Sequence, residues 1–276
     1  MWGSDIMESI KNKVAIVGMG CVKFGENFDQ SIDDMIIDAV YEAYNDAGIE
    51  QKDIQAAWLG NLWSGDTGAV LAVPLKLGYI PVTHTENACA TGSEALRGAC
   101  YGVASGACDI ALAVGVEKLK DTGYMGLPQT RPFATWSYRL AAITPPAGFA
   151  MMATRYFAKN GLDVDEGKRL LAKIAVKNHF NGSLCPKAHF QKPITMDMAL
   201  KAPMIAYPLS LFDCCGVSDG ASSSHCGQGR YGQIIPAGSH LYKSHANMPG
   251  PARRVYESSL RLRPCRRNTA CRHCRI

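Results

Sequence analysis

Two periods alternate along the chain as far as residue 118. Val14-Ala-Ile-Val17 and Ala56–Leu59 are short apolar runs of strand length. Val82-Thr-His-Thr-Glu86 alternates with period two, and Asp109–Val116 is apolar after its first residue. Between them, Ile32, Met35, Ile36, Ala39, Val40, Ala43 and Ala47 recur at helical spacing. Ser31 can cap that helix, Asp33 and Asp34 suit the positive end of its dipole, and Gly48 is a natural stop. Thr67–Leu77 predicts a second helix despite Pro74, and Gly92–Gly106 a third, built of small residues that allow packing on all sides. Strands alternating with helices predict a layered α/β domain with a largely parallel sheet.

From Leu119 to Ala206 the pattern changes. Pro128, Pro132, Pro145 and Pro146 interrupt it, and helical pieces follow near Gly148–Lys159 and Val164–Asn178. Asn181–Ile194, with Gly182, Pro186 and Pro193, reads as a loop. This stretch is expected to be a helical insertion. Leu209–Cys215 then resembles another strand, ended by Gly216 and Asp219-Gly220.

The chain has 276 residues, 47% apolar and 19% charged, which excludes wholesale disorder. The densest apolar run, Ile110–Val116, is too short to cross a membrane, so no membrane partner is expected. Asp5 and Glu8 stand where a signal peptide would carry basic residues, and the expected location is cytoplasmic. The eleven cysteines are therefore read as reduced thiols. Charge is unevenly spread. Residues 226–276 hold nine Arg and Lys243 against Glu257 alone, which is +9; residues 1–225 hold 19 basic against 23 acidic side chains, which is −4.

Gly18 and Gly20 after the first strand suggest a dinucleotide loop, but Lys23 stands where a third Gly is needed. The segment that carries chemistry is Glu86-Asn-Ala-Cys89-Ala-Thr-Gly-Ser-Glu-Ala-Leu96. It sets Cys89 at the turn from a strand into a small-residue helix. There the positive dipole end and backbone N–H groups favour thiolate, and a sharp turn exposes the side chain. On spacing alone, a nucleophile and a buried helix-cap thiol are served equally.

Asn87-Ala-Cys89-Ala-Thr-Gly-Ser93 resembles the nucleophile motif of thiolases, the acetyl-CoA acetyltransferase group, and within it the branch similar to sterol-carrier-protein thiolases. Val14-Ala-Ile-Val-Gly-Met-Gly20 and Asp109-Ile-Ala-Leu-Ala-Val-Gly-Val-Glu117-Lys118 are similar to the family's first strand and its Gly-Val-Glu strand end. Pro186-Lys-Ala188, Ser210-Leu-Phe-Asp213-Cys-Cys215 and Ser218-Asp-Gly-Ala221 resemble its loop domain and the strand that follows. Cys185 departs from the Asn that often precedes that Pro. The resemblance spans about residues 12–221.

It implies a thiolase-like layered α/β/α N-terminal domain over 12–118 and 207–221, with an inserted helical lid over 119–206 and the C-terminal thiolase half absent. It implies acyl-CoA C-acyltransfer, with Cys89 holding the acyl group and its backbone N–H serving an oxyanion hole. Acyl-CoA and coenzyme A are the implied substrates, met in part by the lid; no metal or redox cofactor is implied. A homodimer or a thiolase-like partner subunit is the implied assembly. A ketoacyl-synthase-like condensing enzyme and a non-catalytic scaffold are the other readings.

The second half of a thiolase supplies a His-Asp-x-Phe or Asn-Glu-x-Phe loop, a Gly-His-Pro loop and a Cys before Gly. These act as oxyanion donor, base and acid. None of the three loops occurs here, although Cys226 precedes a Gly in unlike surroundings. This chain is therefore expected to be impaired or inactive. Ser222-Ser-Ser-His-Cys-Gly227 replaces an expected apolar strand, so 222–276 is read as a basic irregular tail, frame-shifted near codon 221. Cys265, Cys271, His273 and Cys274 lack a second ligand pair at a defined spacing for zinc, and the arginines alone do not call for a nucleic-acid partner. His84 is read as a strand residue with a base as its alternative, and His179 and His189 as lid residues. Cys214 and Cys215 are read as core thiols of a strand, Cys100 and Cys108 as packing residues. Met151, Met152, Met196, Met198 and Met204 are read as core, with the lining of an acyl path as the alternative.

Overall fold

A computed structural model describes residues 9–122 and 144–228. Its centre is a five-stranded sheet of β1 (Val14–Cys21), β2 (Ala56–Gly60), β3 (Val82–Thr85), β4 (Ile110–Glu117) and β7 (Gly220–Gln228), in the order β1-β7-β4-β2-β3. β4, β2 and β3 run parallel, and β7 is antiparallel to both of its neighbours, β1 and β4. Four strands therefore share one direction, and β7 alone opposes them.

Helices cover the two faces. On one lies α1 (Ile32–Ala47). Ser31 Oγ accepts the Asp34 N–H at 3.1 Å, the Asp34 carboxylate returns to the Ser31 N–H at 2.9 Å, and Gly48 ends the helix at φ 67°. Its Met35, Ile36, Ala39 and Val40 are buried against Leu59, Leu112, Val114 and Ala221. Gly18 and Gly20 make this approach close. A Cβ on Gly20 would stand 2.1 Å from the Ala39 carbonyl oxygen, and one on Gly18 2.5 Å from that of Ala43. These glycines seat a helix on a strand, which accounts for the Gly-x-Gly spacing without a phosphate.

On the other face lies α3 (Thr91–Ala104), with Ala99 and Val103 against Ala56, Ala111, Ala113 and Cys226. Trp58 fills the groove that Gly98 and Gly102 leave in it; a Cβ on either would come within 2.6 Å of the indole. The small-residue composition of α3 thus has a definite partner.

The inserted helices are α4 (Pro145–Lys159), α5 (Val164–Ser183) and α6 (Met196–Lys201), followed by the hairpin of β5 (Met204–Ala206) and β6 (Leu209–Ser210). They have their own core of Ala172, Ala175, Ile194 and Ala199. Lys168 Nζ joins Ser210 Oγ at 2.8 Å and the Asp213 carboxylate, fastening α5 to the hairpin. The insertion meets the sheet domain where Phe24 N–H donates to the Lys187 carbonyl at 2.9 Å, and where His189 Nδ1 lies 2.6 Å from Ser218 Oγ. Met151, Met152, Met198 and Met204 are exposed rather than core.

Three further expectations are corrected. The helix expected over Thr67–Leu77 is a single turn, α2 (Ala69–Ala72), because Pro74 has no N–H to continue it and Lys76 turns to φ 54°. The strand expected over Leu209–Cys215 stops at Ser210. Asp213 Oδ2 accepts the Ser210 N–H at 2.8 Å, which closes a 3-10 turn over Leu211–Asp213; Cys214 is half-buried and Cys215 exposed. The sheet does not end at Ala221. β7 runs on to Gln228, paired with Val14 on one side and carrying Gly227 opposite Ile110 on the other. Ser and Gly there give no apolar period, yet a slot bounded by two strands needs only backbone that can pair and side chains small enough to fit. The remainder of the basic tail, with Cys265, Cys271, His273 and Cys274, lies outside the described residues.

Candidate active site

Cys89 lies two residues before α3, in a 3-10 turn over Ala88–Ala90 that follows the end of β3. The turn is held from several sides. Ala88 adopts φ 46°, a left-handed conformation that costs a non-glycine residue about 1 kcal/mol or more. Its N–H donates to Glu86 Oε1 at 2.6 Å. Thr91 Oγ1 accepts the Asn87 N–H at 2.8 Å and donates to the Ala88 carbonyl at 2.6 Å. Thr91 itself is buried and rests on Gly60, where a Cβ would stand 2.8 Å from the Thr91 carbonyl oxygen. The elbow therefore sits on the carboxyl end of β2, and only a bare backbone there admits it.

Cys89 is exposed, and the N-terminus of α3 has no side-chain cap. Two other described thiols are exposed, Cys185 and Cys215. Cys185 follows the C-terminal end of α5, where the dipole disfavours negative charge, and Cys215 follows the short turn that carries Asp213. Burial pushes the thiols of Cys21, Cys108, Cys214 and Cys226 up, so they stay protonated at neutral pH. Among the described thiols, Cys89 alone combines exposure with a long, uncapped helix N-terminus.

Two carboxylates organise the loops at this end of the sheet. Glu117, at the end of β4, accepts the N–H groups of Leu62 and Trp63 and the Ser64 hydroxyl, the last at 2.8 Å, and so ties down the loop after β2. Asp219 is completely buried. Its Oδ1 accepts the N–H of Leu119 at 2.7 Å and of Lys120 at 2.8 Å, its Oδ2 that of Asn27 at 3.2 Å, and Lys118 Nζ stands 3.7 Å away. Their positioning roles are absent from the local periodicity; the signal that marked them was their place in the Gly-Val-Glu and Ser-Asp-Gly segments.

His84 Nε2 lies between the Asn61 side-chain and main-chain oxygens, at 2.7 and 3.2 Å. Both accept, so this nitrogen carries the proton and His84 fastens β3 to the loop after β2. Among the described residues no histidine is hydrogen-bonded to the Cys89 thiol. No group of three or more His, Cys, Asp or Glu placed to hold a metal ion occurs among the described residues. No described helix is long and apolar enough to cross a membrane.

The arrangement has relatives. The acetyl-CoA acetyltransferase of Methanothermobacter thermautotrophicus is 37% identical over 221 residues, which is 76% of this chain and 55% of that protein. Sterol carrier protein 2 of Gallus gallus is 31% identical over 229 residues, 78% of this chain and 41% of that protein. The chain spans about half the length of the curated relatives it matches. Among solved structures, the Ltp2-ChsH2(DUF35) aldolase superposes with a TM-score of 0.71 at 24% identity, over 83% of this chain and 59% of the other. The Acat5 thiolase from Ascaris suum in complex with coenzyme A gives 0.57 at 12% identity, over 80% and 67%. The thiolase N-terminal domain family matches residues 14–224, from the first strand, through the Cys89 elbow, into the strand that completes the sheet. With three quarters of its length so matched, the chain belongs to the thiolase family.

Proposed function

We propose that this chain carries the acyl-accepting half of a thiolase-type acyltransferase, with Cys89 as the nucleophile and a coenzyme A thioester as substrate. The Cys89 sulfur attacks the thioester carbonyl, a carbon–sulfur bond forms, and the carbonyl oxygen becomes an oxyanion. N–H donors at the uncapped start of α3 are the groups available to stabilise it. The bond to the coenzyme A sulfur then breaks, and coenzyme A leaves as the thiolate, which takes up the proton that Cys89 lost. The observation that carries this reading is the exposed Cys89 on a strand-to-helix elbow, seated on Gly60. Relatives named acetyl-CoA acetyltransferases support the substrate class. The inserted helices are the proposed contact for coenzyme A.

The sequence contains no His-Asp-x-Phe or Asn-Glu-x-Phe loop and no Gly-His-Pro loop. Acylation without the second transfer is therefore expected. Mixed with acetyl-CoA, the chain should release about one equivalent of coenzyme A, read by chromatography, and then stop. With acetoacetyl-CoA and coenzyme A it should show no sustained thiolysis. Steady turnover at the rate of an intact thiolase would refute the impairment, and the absence of any release would refute the nucleophile.

A further inference from the structure

We propose that Cys100 and Cys226 form an oxidation site whose product is a disulfide joining α3 to the middle of the sheet. Their sulfur atoms lie 3.7 Å apart, across the layer between helix and sheet. Cys226 is wholly buried on β7, which is paired on both edges, and Cys100 is half-buried on α3. Neither residue has a part in acyl transfer. A disulfide needs the sulfurs at about 2.05 Å. β7 is fixed in its ladder, so closing the gap falls to the Cys100 side chain.

Access sets the order of events. Burial also holds the Cys226 thiol protonated, so it cannot meet an oxidant first. Hydrogen peroxide converts the Cys100 thiol to a sulfenic acid and releases one water. The Cys226 sulfur then displaces the hydroxyl, which takes the Cys226 proton and leaves as a second water. Two thiols and one peroxide give one disulfide and two waters. The link pins the helix whose first turn adjoins Cys89 to a strand 126 positions along the chain. Cys108 borders the same layer and is the competing partner; its sulfur lies 3.4 Å from the position a Cβ on Gly102 would take.

The test treats the folded full-length chain with hydrogen peroxide, quenches it, alkylates it in denaturant and maps its peptides without reduction. The expected result is a dominant Cys100–Cys226 cross-link, lighter by two hydrogens, lost on treatment with a dithiol. Cys108→Ser should keep it; Cys100→Ser should lose it and leave Cys226 alkylated. Cys226→Ala serves where Cys226→Ser does not fold, and the wild-type map decides the matter in either event. Full alkylation of Cys226 beside a sulfinic acid at Cys100, or a dominant Cys100–Cys108 link, would overturn the proposal.

Discussion

Replacing Asp219 with alanine is expected to lower the thermal midpoint by on the order of 10 °C, or to prevent folding. The carboxylate, itself fully buried, satisfies three backbone N–H groups, and it stands beside the ammonium of Lys118, whose side chain is 6% exposed. Removing it leaves those donors buried and unpaired, at about 3–5 kcal/mol. At a few degrees per kcal/mol for a domain of this size, that gives the stated shift. Asp219→Asn should fare little better, since its NH2 group presents donors to donors. Calorimetry on both variants checks this. An asparagine variant as stable as the wild type would show that the N–H cluster does not depend on the charge.

Acid is expected to destabilise the fold through His225, and His225→Leu to remove that sensitivity. His225 is fully buried on β7, tilted against Tyr44 with ring centroids 4.9 Å apart, and among the described residues neither ring nitrogen has a hydrogen-bond partner. Burial pushes its pKa down to about 4 from 6.5. The folded state keeps the ring neutral while the unfolded chain binds a proton below pH 6.5. Stability is therefore intact above about pH 7 and lost as pH falls toward 4, by about 3 kcal/mol in all. Leucine fills a similar volume and has no nitrogen to leave unpaired, so the variant should also be more stable at neutral pH, by about 1–3 kcal/mol. Denaturant titrations of both proteins at pH 7.5, 6 and 4.5 decide it. A difference that does not widen toward acid would sink the idea.

These two residues also mark how far local pattern reaches. α1 was legible because three independent signals agree on it: the Ser31 cap, the 3.6-residue period and the Gly48 stop. The Cys89 elbow was legible because a strand, a turn and a small-residue helix follow one another within a few positions. β7 beyond Ala221 was not. Its identity comes from neighbours about 110 and 200 positions away, which accept a run of serines that has no period of its own. The 209–215 segment misled in the opposite direction. Its apolar residues read as a strand, and a single side chain, Asp213, bends it into a turn. Asp219 and Glu117 act through distant backbone groups, which no window along the chain can display. The resemblance marked their segments, and only the folded chain brings them to the loops they hold.

The seat of the elbow shows the same division. Gly60 closes β2 in the sequence as an ordinary strand end, yet its missing Cβ decides where Thr91, and with it Cys89, can lie. Cys89 as acyl acceptor remains the proposal on which the functional account stands. The measurement that tests it most directly is the mass of the intact chain after incubation with acetyl-CoA, followed by peptide mapping, with Cys89→Ala alongside. The expected result is one acetyl group, located on Cys89 and absent from the variant. Acetylation spread over Cys185 and Cys215, or undiminished in Cys89→Ala, would contradict it.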